Sequence, residues 1–415
     1  MTHLRSSNNM RLADRQDPKN PGSGAPFDEL RTFYFWKGRV ALYGILKALG
    51  IGPGDDVVVP GFTCVVVPQA VRFAGARPIY VDICEETFNL DANQLRSVLT
   101  PNTKAIIVQH TFGLAADVEA IKSIAVPRGI KIIEDCAHSM GTLYHGAWLG
   151  TLGDAAYFST QWTKPITTGL GGIAVTRDPE IAKGLAAFEQ ETISPSFREK
   201  CALYVQCRIH QAFFRPSIYW TARDTLRLLA RMGLFVGSNS SEELSGLKPD
   251  GYEKRMGPLQ LRQLKTQMAG LRASCDHRIR AAQAYEELIN QIGLTGPTVL
   301  EGTEPVMLRY PVLVSDKPRT LDAARRARIE IGEWFVSPLH PLTEGLEQLG
   351  YRPGECPIAE EISRRVINLP THTGVDAATI ARIGEFLRNT EGVRCGQVRA
   401  QEPVPSYRLA NKHFS

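Results

Sequence analysis

Two residues on either side of an apolar segment set the chemical question. Asp135 closes the run "IKIIED", and Lys164 lies in "FSTQWTKPITTGLGG". A carboxylate at the end of an apolar strand is costly to bury unless it is paired. A protonated heterocyclic nitrogen suits it as a partner. Pyridoxal phosphate carries such a nitrogen, and an Asp keeps it cationic as an electron sink. A helix N-cap or a metal ligand are the other roles open to Asp135. Lys164 is flanked by Phe158, Trp162 and Pro165, which help to desolvate it, and a lysine that must lose its proton to act as a nucleophile needs that. Ser159 and the neighbouring Thr residues can donate hydrogen bonds to a phosphate, and Gly169, Gly171 and Gly172 permit a close backbone approach. A surface lysine before a glycine-rich turn is the plainer reading. No GxxxxGK[ST] is present, so a P-loop is not supported.

A second phosphate-ready feature is "WKGRVAL". It places Gly38 and Arg39 where helix N-terminal amides and a guanidinium meet. A simple helix start would look the same.

The elements that must position these residues are legible as an alternation. "DDVVVP", "RPIYVDI", "KAIIVQ" and "IKIIEDC" read as strands, and "GRVALYGILKALGI", "VVVPQAVRFAGA", "DANQLRSVL" and "DVEAIKSIAVPRG" as helices, with Asp91 the N-cap of the third. Continuous apolar strands separated by helices predict an α/β fold, with a mostly parallel sheet and helices on both faces. Ligands in such sheets sit at the carboxyl ends of the strands. Thr63, His110, Asp135 and His138 follow strands and are therefore candidates, although a satisfied core histidine is the commoner fate of a His.

Composition narrows the class. The 415 residues are 43% hydrophobic and 22% charged, with a net charge of +5, which does not suggest a nucleic-acid binder. None of the eight cysteines forms a CxxC pair, so no zinc ribbon is expected and the thiols suit a reducing cytoplasm. No metal site is expected. Residues 1–28 are polar, lack an apolar signal core and read as a disordered or strapping tail. No apolar run is long enough to span a bilayer as a helix.

The expected division is a large cofactor-binding domain at 29–250, a smaller C-terminal α+β domain at 251–395 and a tail at 396–415. A basic, aromatic, helical insert at 190–250 interrupts the pattern. Within it Arg223, Arg227 and Arg231 fall on one helical face. Residues 196–238 could form a flap over the substrate entrance or a dimer contact. Alternatively, with Trp220, Leu226 and Leu229, they could lie peripherally on an anionic membrane surface.

The order of segments resembles a known family. "GRVALYGILKALGIGPGDDVVVPGFTC", "GARPIYVDICEETFNLD", "IIEDCAHSMGTLYHGAWLGTLGDAAYFSTQWTKPITTGLGGIAVT", "GYEKRMGPLQLRQL", "WFVSPLHP" and "CPIAEEISRRVINLPTH" are similar to the DegT/StrS-type sugar aminotransferases. The resemblance covers roughly residues 30–390. It implies the aspartate-aminotransferase fold (fold type I), with pyridoxal 5'-phosphate as cofactor. It matches Lys164 to the lysine that forms the Schiff base and Asp135 to the partner of the pyridine nitrogen. His138 stands beside the cofactor's phenolic oxygen, and Ser159 matches a phosphate ligand. Gly38 and Arg39 match the Gly-Thr pair whose amides hold the phosphate, and Thr63 precedes the residue that stacks on the ring.

The chain departs from the family at four points. Arg39 stands for Thr or Ser and would add charge to the phosphate site. Cys64 stands for the stacking aromatic, Leu170 for the Glu of TTGEGG, and Glu253 for an Asn that often reaches the partner subunit's phosphate. The resemblance further implies a homodimer with interfacial sites, glutamate as amino donor and a keto-sugar, nucleotide-linked, as acceptor. A lysine rather than a histidine at the central position argues for transamination over dehydration. Another keto substrate (a lipid-linked sugar or a cyclitol) and a non-catalytic cofactor-binding regulator are the alternatives.

Overall fold

The computed structural model describes residues 29–213, 241–390 and 392–393. The tail expected at 1–28, the tail expected at 396–415 and the stretch of the insert carrying Trp220, Arg223, Leu226, Arg227, Leu229 and Arg231 lie outside the described residues.

The apolar strand runs form the sheet that their pattern predicts. It contains β1 (Arg31–Phe35), β2 (Asp56–Pro60), β4 (Arg77–Val81), β5 (Thr103–Gln109), β6 (Lys131–Asp135), β9 (Ala155–Ser159) and β10 (Gly172–Thr176), in the order β1-β10-β9-β6-β5-β2-β4. Pairing is parallel from β9 to β4, and β10 lies antiparallel to both its neighbours. β10 therefore runs against the other six strands. The period-two alternation of a strand sends Val57, Val59, Ile107 and Ile133 into one core and Val58, Ile106, Val108 and Ile132 into another. The first core is shared with α1 (Gly38–Ala48), α2 (Val66–Phe73) and α5 (Pro179–Glu191). The second is covered by α3 (Ala92–Val98) and α4 (Val118–Ala125). Both faces are dry, which is why these strands read as unbroken apolar runs. Asp91 caps α3 as expected, accepting the amide of Asn93 at 2.9 Å.

Two short sheets join later chain to this platform. β11 (Thr303–Glu304) pairs with β7 (Leu143–Tyr144), which pairs with β8 (Ala147–Trp148). β3 (Thr63–Cys64) pairs in parallel with β13 (Leu339–His340), with Leu339 opposite Thr63 and His340 opposite Cys64. A last antiparallel pair, β12 (Arg309–Leu313) and β14 (Val366–Pro370), carries the C-terminal α+β layer. Around it lie α10 (Lys317–Ala327), α11 (Pro357–Arg365) and α12 (Ala377–Asn389). The remaining described helices are α6 (Phe197–Phe213) and α7 (Ser241–Leu244) in the insert, then α8 (Pro258–Met268) and the long α9 (Leu271–Gln291). No helix among the described residues is long and apolar enough to cross a membrane.

Candidate active site

Strand direction gathers the site. β1, β5, β6 and β9 all end at one edge of the sheet, and β10 begins there, with Gly172 opposite both Ser159 and Phe35. Asp135, Ser159, the start of α1 and the Lys164 loop are thereby brought together at the strands' carboxyl ends, where open α/β sheets bind ligands. They line one cavity of about 250 Å³.

The start of α1 reaches the site only because two side chains are missing. A Cβ on Gly172 would fall 2.2 Å from the carbonyl oxygen of Lys37, which is backbone and cannot yield. One on Gly38 would fall 3.2 Å from Cβ of Ser159. No side chain caps the first turn of α1, and its first amides have no partners within the helix, so this end suits an anion. Ser159, Gly38, Arg39 and Lys37 line the cavity at this point.

Lys164 opens from a tight turn, with its amide donating to the carbonyl of Gln161 at 2.9 Å. Burial pulls its pKa down to about 8, and Asp135, the next largest influence, opposes the fall. The amine therefore has a substantial neutral fraction near pH 8. Asp135 is itself buried and accepts the amide of Ala137 at 2.9 Å. Burial pushes its pKa upward, while Tyr157 and the Ala137 amide oppose the rise. The buried Tyr157 hydroxyl lies beside this carboxylate and helps to hold its charge. A cationic ring nitrogen against Asp135 would restore the carboxylate's charge, and the uncapped start of α1 beside Ser159 would receive the phosphate. The residues present fit pyridoxal phosphate.

His138 lines the cavity. Its Nδ1 accepts the amide of Phe112 at 3.3 Å, and its ring stacks on Trp334 with centroids 5.4 Å apart at 12°. Burial, then the Lys164 charge, hold its pKa well below the ordinary histidine value, so the ring is neutral. Cys64 also lines the cavity, and burial raises its thiol pKa. Thr63 is not among the lining residues. Its hydroxyl donates to Oε1 of Gln109 at 2.6 Å, and Gln109 is the residue that faces the cavity. His110 is likewise diverted. Its Nε2 pairs with Glu134 at 3.1 Å and its Nδ1 accepts the amide of Ala116 at 3.1 Å. Glu134 also accepts amides from Gly150, Leu152 and Gly153. His110, Glu134 and Cys136 lie close enough together to resemble a metal cluster, but the His and Glu lone pairs are committed to this buried lattice.

Arg39 lines the cavity at the start of α1. Its guanidinium is paired with Glu243 of α7 at 2.7 Å, and Lys37 meets the other carboxylate oxygen at 3.2 Å. Leu170 faces the cavity, and its carbonyl accepts the side chains of Gln260 and Thr168. Glu253 pairs with Lys248.

Sequence reasoning missed Lys37, Gln109, Tyr157, Trp334, Phe335 and His340 as lining residues. Trp334, Phe335 and His340 arrive through the β3–β13 pairing, where Thr63 donates its amide to Pro338 at 2.8 Å and Val65 to His340 at 2.7 Å. A long-range strand pairing leaves no local signal. The segment "WFVSPLHP" was nonetheless visible as part of the resemblance.

The chain resembles known proteins along most of its length. It is 28% identical over 361 residues to a pleiotropic regulatory protein of Geobacillus stearothermophilus, covering 85% of this chain and 84% of that one. It is also 28% identical over 354 residues to a UDP-N-acetyl-3-dehydro-alpha-D-glucosamine 3-aminotransferase of Acidithiobacillus ferrooxidans, covering 85% and 82%. The fold superposes with a TM-score of 0.65 on a DegT/DnrJ/EryC1/StrS aminotransferase from Brucella abortus, 25% identical, covering 86% and 85% of the two chains. The profile of that family matches residues 36–210 and 220–388. With the lysine, the carboxylate and the anion-ready helix around one cavity, the chain belongs to the DegT/DnrJ/EryC1/StrS aminotransferase family, whose enzymes work with pyridoxal 5'-phosphate.

Proposed function

We propose that the protein transfers an amino group from an amino acid, with glutamate the donor, to the keto group of a nucleotide-linked sugar. The observation that carries this is the convergence of Lys164, Asp135, His138, Ser159 and the start of α1 on one cavity. When bound, the cofactor supplies an aldehyde that takes up amino groups and a cationic ring that accepts electrons. Lys164 would hold that aldehyde and, once released, carry a proton at its Nζ between donor carbon and cofactor. Its lowered pKa suits a group that must be neutral to accept that proton. Asp135 would keep the ring nitrogen protonated. Ser159 and the first amides of α1 would hold the phosphate. Neutral His138 would accept or donate a hydrogen bond at the ring edge, and its stacking on Trp334 fixes its plane.

The acceptor class follows from relatives such as the UDP-sugar 3-aminotransferase. An alternating reaction of this kind predicts ping-pong kinetics. The reading includes action in the cytoplasm as a homodimer, with sites at the subunit interface, and keeps the division near residue 250 between a cofactor-binding and a smaller domain. Contact of the 196–238 segment with a membrane surface belongs to the same reading as a minor alternative.

The similarity to a regulatory protein favours one second reading, a cofactor-binding regulator without turnover. A visible absorbance band of the purified protein that bleaches on adding glutamate, with 2-oxoglutarate formed stoichiometrically, supports the enzyme. A band that glutamate leaves unchanged supports the regulator. Screening keto-sugar nucleotides against the glutamate-treated protein then identifies the acceptor, by return of the band.

A further inference from the structure

The phosphate end of the cavity already contains an anion supplied by the chain. Glu243 is 1% exposed and lies on the short α7. One carboxylate oxygen is 2.7 Å from Arg39 and the other 3.2 Å from Lys37. Its backbone is held as well, because the buried Gln69 of α2 donates to its carbonyl oxygen. Lys37 and Arg39 flank Gly38 at the uncapped start of α1, and both line the cavity beside Ser159. Among the described residues, Lys37, Arg39 and Glu243 together carry a single net positive charge there. A phosphate monoester brings about −1.5 to −2.

We propose that Glu243 is a built-in counter-ion for Lys37 and Arg39, which an entering phosphate monoester displaces from Lys37 while the Arg39 pair persists. Three features favour this over a purely structural ion pair. Lys37 makes the longer of the two contacts, at 3.2 Å against 2.7 Å for Arg39. Its ammonium is costly where it sits, since burial and then the neighbouring Arg39 charge lower its pKa to about 8 despite Glu243. And Lys37 lies one residue before Gly38, whose missing side chain opens the path to Ser159. A buried cation pair deprived of its carboxylate is strained until another anion arrives. Glu243 thus keeps the empty site folded and lowers the affinity for phosphate compounds. It also couples the insert, which carries α7, to occupancy of the site.

The inference rests on the proposed cofactor reading, and the test separates the two. Apo-protein is titrated with pyridoxal 5'-phosphate, with pyridoxal and with inorganic phosphate, following tryptophan fluorescence and melting temperature. In Glu243→Gln the affinity for pyridoxal 5'-phosphate is expected to rise on the order of tenfold. Affinity for pyridoxal stays unchanged, and inorganic phosphate raises the melting temperature more than in wild type. An unchanged or weaker affinity for pyridoxal 5'-phosphate overturns the inference. Should Glu243→Gln fail to fold, Lys37→Met supplies the reading. It is expected to weaken pyridoxal 5'-phosphate about tenfold without affecting pyridoxal, and equal affinity to wild type overturns the proposal. Wild-type protein that binds neither pyridoxal 5'-phosphate nor pyridoxal overturns the cofactor reading itself.

Discussion

The ammonium nitrogen of Lys164 lies 5.1 Å from the ring centroid of Trp334, although the two residues are far apart in the chain. On its other contacts the indole meets His138 and the guanidinium of Arg309, the latter at 4.8 Å. Position 64, where the family resemblance implies an aromatic, holds a cysteine here. The cavity's large aromatic surface comes instead from Trp334 and Phe335. Trp334 therefore excludes water from Lys164 and fixes the plane of His138. Trp334→Ala is expected to weaken cofactor binding on the order of tenfold and to move the Lys164 titration upward toward its ordinary range, because water returns. Trp334→Phe should retain most of both. Cofactor titration and a pH profile of cofactor capture check this, and a variant whose profile coincides with wild type would count against it.

Lys164→Ala should abolish turnover, with a loss of at least about a thousandfold. Borohydride reduction of the wild-type holoprotein should attach the cofactor's mass to the peptide containing Lys164, and the variant should show none. Full turnover in the variant would remove the central claim.

Asp135→Asn keeps shape but removes the charge that holds a ring nitrogen protonated. Turnover is expected to fall by about two to four orders of magnitude, with the cofactor still bound, since Ser159 and α1 hold its phosphate end. Steady-state rates, together with the absorbance of the holoprotein, separate loss of function from loss of cofactor.

These groups differ in how far they could be read in sequence. Asp135 was legible because it ends a strand of a sheet buried on both faces, and such strands announce themselves as apolar runs. Lys164 and Ser159 were legible from the hydroxyl, small and aromatic residues around the lysine, and Gly38 from a helix start beside an arginine. Thr63 and His110 share the same local signal, yet one turns to Gln109 and the other to Glu134. A strand end gives the edge of the sheet but not the direction of a side chain. Trp334 and His340 depend on the register between β3 and β13, and Glu243 on where α7 docks against α1 and α2. Neither is written in a local pattern.

The His110–Glu134 pair yields a prediction about stability rather than catalysis. Glu134 is fully buried and accepts from His110, Gly150, Leu152 and Gly153. Burial tends to raise its pKa, but the His110 and amide hydrogen bonds outweigh this and hold it below the ordinary value. Glu134→Gln places an amide donor against backbone donors and should cost about 3–5 kcal/mol of stability. A large fall in melting temperature is expected, while a chelator should leave the wild-type melting temperature unchanged. A chelator-sensitive melt would instead mean that His110, Glu134 and Cys136 hold a metal.

The lowered pKa of Lys164 gives a pH dependence with a definite sign. The ordinary lysine value is 10.5 and the folded value is about 8. Below about pH 8 the amine is charged and cannot attack an aldehyde, and above it the neutral form dominates. Capture of an aldehyde by apo-protein should therefore accelerate with rising pH, with a midpoint near 8. The same difference bears on folding. Between about 8 and 10.5 the unfolded chain holds a proton at this position that the folded chain has lost, so the contribution of Lys164 to stability rises with pH across that window. Pyridoxal is the better probe for the capture rate, because it lacks the phosphate that Lys37 would meet, and Lys37 titrates in the same range. Stopped-flow absorbance with pyridoxal from pH 6.5 to 9.5 should give one sigmoidal rise in wild type and none in Lys164→Ala. A rate still rising steeply at pH 9.5, with no plateau, would show that the burial of this amine does not persist in solution.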